Sequence, residues 1–145
     1  MKVLFAILLC LVISSTKCTI SKEHQKAIEN ILEHAGDKTV SAIFNEIEQV
    51  VSSMGSGAQA DHEKWKNEVR AENKKRELAM KEAIDDLSPE ARGRLVRIIM
   101  VQQNAIMTQN EKRELLRKIK YDMDEKVKQE LLSKIPEKTL FNTIL

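Results

Sequence analysis

The composition describes a small helical protein. The chain has 145 residues, of which 42% are hydrophobic, 32% charged and only 3% aromatic, and it contains four Gly and two Pro. Few chain-breaking residues and many helix formers are typical of helical proteins. Two Cys exclude a disulfide framework, and regular turn signals that would indicate a β-sandwich are missing. The composition therefore predicts an all-α domain.

The first residues have the pattern of a secretory signal peptide. Lys2 supplies a positive charge, residues 3–13 form an apolar run, and mostly small or polar residues follow up to Cys18. The run is too short to cross a hydrocarbon core about 30 Å thick, so we expect no membrane span. The sequence thus predicts a signal peptide at 1–18 and a single secreted, extracellular domain at 19–145. Cleavage after Ser15 instead would leave Cys18 near the new N-terminus.

Processing also sets the charge of the mature chain. Removal of residues 1–18 takes away two of the 24 Lys and Arg and leaves 22, which equals the 22 Asp and Glu. No cysteine remains, so the mature domain has no disulfide. A formally neutral chain argues against nucleic acid as a partner. Arg92, Arg94 and Arg97 form a local basic patch, but no aromatic residues are interleaved with it for stacking.

Apolar spacing predicts three helices in the first half of the mature chain. The first covers 22–35 and ends at Gly36, and the second runs from about 39 to 54. Gly55-Ser56-Gly57 then indicates a loop. The third helix runs from 61 to 87, and Glu72–Arg76 and Glu77–Lys81 pairs support its highly charged middle.

Strong capping signals define the second half. Ser88 can cap a fourth helix, with Pro89 in its first position and Glu90 at the positive end of its dipole. That helix ends near Met107, and its apolar positions are Ala91, Leu95, Val96, Ile98, Ile99 and Ile106. A capping box over 108–111 opens a fifth helix, which either continues to Pro136 or restarts at Asp124 after a bend. The tail, with Leu140, Phe141 and Ile144, folds back. The predicted architecture is a compact bundle of five to six helices.

The sequence offers no catalytic constellation. His24, His34 and His62 have neither a cysteine partner nor a nucleophile elbow, and none has the spacing typical of a zinc site. We expect His24 and His34 to be surface imidazoles. No glycine-rich loop that could hold a phosphate is present. The sequence therefore predicts a protein that is not an enzyme, with no catalytic and no cofactor-binding residues.

Two clusters of carboxylates are candidate sites for Mg²⁺ or Ca²⁺, which prefer oxygen ligands. Asp85, Asp86 and Glu90 lie where the third helix gives way to the fourth. Asp122, Asp124 and Glu125 lie at the bend in the fifth. Neither cluster has the pattern of an EF-hand loop, and helix capping and solvation explain both without a metal.

Methionines raise a different possibility. Adaptable Met side chains can line a cavity for an apolar ligand, although ordinary core filling is the simpler interpretation. Five remain after processing: Met54, Met80, Met100, Met107 and Met123.

Three segments of the second half share a pattern with a known family: Leu87-Ser88-Pro89-Glu90-Ala91-Arg92, the segment from Asn104 to Thr108 and the stripe at 115–131. Over about residues 65–135 the chain resembles the SXP/RAL-2 family of small secreted nematode proteins. This resemblance implies a compact helical domain of the Ani s 5-like, cation-binding type, and several family members are antigens or allergens. No family motif fixes the ligands.

A second nematode family, the fatty-acid and retinol-binding proteins, is similar only over the Leu-Ser-Pro-Glu-Ala stretch. We therefore expect a secreted, non-enzymatic binding or interaction protein with weak divalent-cation binding as a further property. A carrier of apolar ligands is the alternative. The partner, a protein or a small apolar ligand, and the oligomeric state are left open by the sequence.

Overall fold

Seven α-helices make up the fold over the residues that the structure describes. The computed structural model describes residues 22–143, apart from the side chains of Glu23 and His24, and this part of the chain contains no strand. The predicted signal peptide and Ile144 lie outside the described residues. The helices are α1 (Lys22–Glu33), α2 (Val40–Ser52), α3 (Ser56–Ile84), α4 (Pro89–Gln103), α5 (Gln109–Tyr121), α6 (Glu125–Lys134) and α7 (Glu137–Phe141).

The all-α class is confirmed, but the predicted count of five to six helices is too low. The fifth predicted helix is divided, because Asp122 ends α5 and Asp124 caps α6 by accepting a hydrogen bond from the N–H of Lys126. The tail beyond Pro136 forms the short helix α7, which the apolar spacing did not indicate. The restart at Asp124, one of the two predicted alternatives, is the one observed.

Helix α3 begins earlier than its apolar pattern predicted. Among residues 22–143 only Gly55, at a φ of 89°, has a left-handed backbone conformation, and the break between α2 and α3 covers only residues 53–55. Ser56 and Gly57, predicted as loop, belong to the first turn of α3. A glycine costs a helix about 1 kcal/mol relative to alanine, which a helix of 29 residues can absorb. None of the described helices is long and apolar enough to cross a membrane.

The chain divides into two compact units, Met1–Arg70 and Ala71–Leu145, and α3 contains the boundary between them. In the first unit α1 packs against α2, whose N-cap Thr39 accepts a hydrogen bond from the N–H of Ala42. The ring of Trp65 lies 5.8 Å from that of Phe44 and stacks on that of His62 at 5.5 Å. The buried hydrophobic residues of this unit are Ile28, Leu32, Ala35, Ile43, Ile47, Val51 and Trp65.

The second unit is built around α4, which packs against α5, α6 and α7. Its N-terminus is fixed as predicted: the Ser88 hydroxyl accepts a hydrogen bond from the N–H of Ala91, and Pro89 opens the helix. The core is aliphatic rather than aromatic. Its buried members are Met80, Ala83, Leu87, Ala91, Leu95, Ile98, Val101, Leu116, Ile119, Met123, Val127, Leu131, Ile135 and Leu140.

The C-terminal tail folds back onto this core, as predicted. Leu140 is fully buried, and Gln102 in α4 donates hydrogen bonds from its side-chain amide to the carbonyl oxygens of Thr139 (2.9 Å) and Leu140 (2.8 Å). Arg76 in α3 donates to the carbonyl oxygen of Lys138 at 3.0 Å. Side chains from two helices therefore satisfy main-chain acceptors of a segment too short to satisfy them itself.

Candidate functional site

The carboxylates predicted as metal ligands at the α5–α6 junction serve the helix ends. Asp122 is the C-cap that follows α5, and its N–H donates to the carbonyl oxygen of Lys118 at 2.9 Å. A carboxylate oxygen of Asp124 accepts a hydrogen bond of 2.8 Å from the N–H of Lys126. Glu125 forms an ion pair of 3.4 Å with Lys128. All three carboxylates are exposed, and capping accounts for Asp124 directly.

The second carboxylate cluster is spread around the α3–α4 junction. Asp86 forms an ion pair of 3.4 Å with Lys134, while Asp85 and Glu90 are exposed. Glu90 lies in the first turn of α4, where a negative charge is favourable. Within residues 22–143 the structure brings together no group of three or more His, Cys, Asp or Glu that could hold a metal ion. The cation site therefore stays a prediction from the sequence.

The histidines occupy different surroundings. His34 is exposed, with Nδ1 at 2.9 Å from the carbonyl oxygen of Asn30, as expected for a surface imidazole. The side chain of His24 lies outside the described residues. His62 is buried and stacks on Trp65, a contact that no pattern in the sequence predicted.

The methionines are not gathered into one site. Met80 and Met123 belong to the core of the second unit, whereas Met54 lies in the first unit and is exposed. Met100 points outward, with 68% of its surface accessible. The idea of a shared Met-lined cavity draws no support from this arrangement, and core filling accounts for only part of the set.

A buried lysine is the least conventional polar group of the second unit. Lys112 in α5 is only 1% exposed, and its Nζ donates a hydrogen bond of 3.0 Å to the carbonyl oxygen of Gln102. No described carboxylate forms an ion pair with it. Because burial penalises the ammonium form, the pKa of Lys112 is lowered from its ordinary value. The Nζ atom of Lys112 lies beside the last turn of α4, where the negative end of the helix dipole favours a positive charge.

One side of α4, which we call the outer face of α4, exposes residues that the apolar pattern assigned to the interior. We use this name for Gly93, Val96, Arg97 and Met100, together with Ile106 in the loop that follows. Val96 is 42%, Met100 68% and Ile106 87% exposed, although Val96 and Ile106 were predicted as apolar core positions. Residues of α4 four apart share one side of the helix, so Val96 and Met100 are neighbours on this face.

Hydrogen bonds hold the loop at the end of this face in one conformation. The side-chain oxygen of Asn104 accepts hydrogen bonds from the N–H groups of Ile106 (2.9 Å) and Met107 (3.1 Å). Thr108 and Glu111 then form the predicted capping box, in which each side chain accepts a hydrogen bond from the backbone N–H of the other residue. Ile106 is therefore exposed in a loop that the chain fixes on both sides.

The arginines of the predicted basic patch have separate roles. Arg92 donates to the carbonyl oxygens of Ile84 (3.2 Å) and Leu87 (3.4 Å), so it serves the C-terminal end of α3. Neither Arg94 nor Arg97 has a hydrogen-bond or ion-pair partner among the described residues. The stretch from Ala91 to Asn110 contains no Asp or Glu. The outer face of α4 is thus apolar at its centre and positive along one edge.

Sequence reasoning identified the arginines but did not predict the exposed apolar residues beside them, because it counted Val96 and Ile106 with Leu95 and Ile98 as apolar positions of one helix. The helical period of α4 could have separated the buried positions from the exposed ones. Leu95, Ile98 and Gln102 share one side of α4, whereas Gly93, Val96 and Met100 fall on the other.

Comparison with protein-family models, with curated proteins and with solved structures finds no match for this chain.

Proposed function

We propose that this is a secreted, non-enzymatic binding protein that contacts its partner through the outer face of α4. The observation that carries the proposal is the exposure of Met100 and Ile106 in a helix and a loop that hydrogen bonds hold in place. Burying one such side chain on a partner contributes about 1.5–3 kcal/mol, so these two are the natural centre of a contact. Arg97 beside them adds a charge without a partner in the described chain.

The signal-peptide pattern and the resemblance to the SXP/RAL-2 family support secretion and a binding role. In the second unit the buried apolar side chains form an aliphatic core, and the buried polar residues Gln102 and Lys112 donate hydrogen bonds to backbone carbonyl oxygens. Structural roles therefore account for these buried residues.

A photo-crosslinking experiment tests the contact surface. A benzophenone amino acid replaces Met100 in one sample and Gln129, an exposed residue of α6, in a control sample. We expect a saturable adduct from position 100 in the secretions of the producing organism, and competition by excess wild-type protein but not by Met100→Glu. Equal adducts from position 129, or no competition by the wild type, would remove the outer face of α4 as the binding surface.

Weak binding of Ca²⁺ or Mg²⁺ is a second property that we propose on the family resemblance and on the carboxylates at the α5–α6 junction. Titration calorimetry of the mature protein tests it, with Asp122→Asn and Asp124→Asn as variants. Asparagine also caps helices well, so the Asp124 variant keeps α6 while removing the charge. We expect a heat of binding at millimolar metal that the two substitutions reduce; no heat from the wild type would remove this property.

A further inference from the structure

We propose that the partner of the outer face of α4 is an acidic amphipathic helix of another protein. This inference rests on the proposed function and adds to it the chemistry of the partner. It follows from three features of the face: an exposed glycine, an uncompensated positive edge and a line of aliphatic side chains.

Gly93 supplies the first feature. It lies inside α4, where glycine is unfavourable, yet a Cβ added to it would meet no atom within 4 Å. Packing within the chain therefore gives no reason for the missing side chain. Gly93 and Met100 are seven residues apart, two turns along the same side of the helix. A residue without a side chain at this position lets the backbone of a second helix approach α4 closely, with Met100 in contact further along.

The positive charge of the outer face of α4 distinguishes between its possible binding partners. Arg94 and Arg97 lie three residues apart on one edge of the face, and no Asp or Glu occurs from Ala91 to Asn110 to neutralise them. A symmetric contact between two copies of α4 would bring these arginines toward their own counterparts, which is unfavourable. Acidic residues on a different helix would instead complement this edge.

The aliphatic character of the face favours a protein helix over a membrane surface. Helices that lie in a membrane interface present a broad apolar side rich in Trp, Phe and Leu. The broad apolar side of α4, which includes Leu95 and Ile98, is buried in the core. The outer face offers only Val96, Met100 and Ile106, with no aromatic residue among them. Such a narrow line matches the apolar stripe of an amphipathic helix, which docks through residues at i, i+3, i+4 and i+7.

Selection from a display library of random helical peptides on the mature protein tests this inference. We expect the enriched peptides to combine an aliphatic stripe with Asp or Glu beside it. Their affinity should fall at least tenfold for Arg94→Glu/Arg97→Glu and for Met100→Glu, and should be unchanged for Gln129→Glu on α6. Peptides with Lys in place of the acidic residues should regain affinity for the charge-reversed variant.

Gly93→Leu separates a role in binding from a role in folding. Leucine is a better helix former than glycine and has open space at this position, so we expect the variant to keep or raise its thermal midpoint. Its affinity for the selected peptides should nevertheless fall at least tenfold, because the side chain prevents close approach. Unchanged affinity would contradict the role assigned to Gly93 and overturn the helical partner.

The remaining outcomes distinguish this inference from the proposed function. Peptides that bind the outer face without acidic residues would overturn the inference and leave the proposed function standing. Peptides that are insensitive to Met100→Glu, or no enrichment at all, would remove both. If the protein sedimented with vesicles of phosphatidylcholine and phosphatidylglycerol, and Met100→Glu abolished this binding, the outer face of α4 would be assigned to a membrane. If sedimentation velocity showed a dimer that Met100→Glu abolished, the face would be assigned to a second copy. Either result would also overturn the helical partner.

Discussion

Two buried lysines, one in each unit, differ in how their charge is accommodated. Lys66 in the first unit is 9% exposed and forms ion pairs with Glu48, at 2.7 Å, and with Glu63. The hydrogen bonds that Lys66 donates to these carboxylates raise the pKa of Lys66. Lys112 in the second unit has only a backbone carbonyl as its partner, and burial lowers the pKa of Lys112. The pKa of the same side chain is therefore shifted upward in one unit and downward in the other.

The difference shows that the two units satisfy buried polar groups by different means. The first unit uses pairs of opposite charge, as in Lys66 with Glu48. In the second unit, Arg76, Gln102 and Lys112 donate to carbonyl oxygens near helix ends or in the C-terminal tail. Carbonyls at helix ends lack intrahelical donors, so buried side chains that reach them also fix where the helices end. The tertiary structure of the second unit depends on these contacts as well as on its aliphatic core.

The largest expected effect comes from the aliphatic core of the second unit. Leu131→Ala removes a fully buried side chain, which we expect to lower the free energy of unfolding by about 2–5 kcal/mol. Urea unfolding followed by far-UV circular dichroism measures it, while the fluorescence of Trp65, the only tryptophan, reports on the first unit. Leu78→Ala, at a half-exposed position, is the control. A loss below about 1 kcal/mol would contradict the core position of Leu131.

The next effect tests the contrast between the lysines directly. Lys112→Met removes a buried ammonium that lacks a carboxylate partner, so the desolvation penalty that it relieves is set against one hydrogen bond to a carbonyl oxygen, which contributes about 1.5–3 kcal/mol. We therefore expect a higher free energy of unfolding at pH 7. A variant less stable than the wild type at this pH would show that the hydrogen bond to Gln102 outweighs the desolvation of the ammonium.

Lys112→Met should also change how the free energy of unfolding depends on pH. The pKa of Lys112 is lower in the folded than in the unfolded chain, so the folded state releases its proton first as the pH rises. Wild-type stability should consequently gain a contribution between this lowered pKa and the ordinary value of about 10.4. Lys112→Met should lack it. Lys66 has a raised pKa, so its contribution is present below the ordinary value and is lost as the pH rises through the folded value. Urea unfolding from pH 7 to 11, with exposed Lys74→Met as control, compares them.

A smaller effect is expected from the contacts that hold the tail. Gln102→Leu removes the hydrogen bonds to the carbonyl oxygens of Thr139 and Leu140 and leaves these acceptors without that donor. We expect a loss of about 1–3 kcal/mol and faster amide hydrogen exchange in α7. Gln129→Leu, at an exposed position of α6, should leave the exchange of α7 unchanged. Equal protection in both variants would show that packing of Leu140 alone fixes the tail.

The smallest effect concerns the cap of α4. Ser88→Ala removes the acceptor for the N–H of Ala91 and also a hydrogen bond of 2.8 Å to Glu130. We expect a loss of about 0.5–2 kcal/mol in urea unfolding. Hydrogen bonds that Ser88 donates lower the pKa of Glu130, so the part of this loss that comes from the Ser88–Glu130 hydrogen bond should fade as the pH drops through the folded pKa of Glu130. Ser133→Ala, exposed on α6, is the control, and an equal loss there would contradict the capping role.

Sequence patterns predicted local structure best where one residue has one strong role. Ser88, Pro89 and the Thr108–Glu111 pair lie where the capping pattern placed them, because these contacts involve residues three positions apart. Boundaries without such a signal were less accurate, as the early start of α3 at Ser56 shows. Helix α7 escaped prediction because hydrogen bonds from Arg76 and Gln102, distant in sequence, hold it.

The sequence by itself determined the helical class, the capped helix starts and the return of the tail, since each follows from the period of apolar residues or from a short-range hydrogen bond. Only the tertiary structure decided which apolar residues of α4 are buried and which, like Met100, form an outer face. It also decided that Lys66 meets carboxylates while Lys112 meets a carbonyl. The physical reason is that burial and charge pairing depend on neighbours from other helices, which no local pattern specifies.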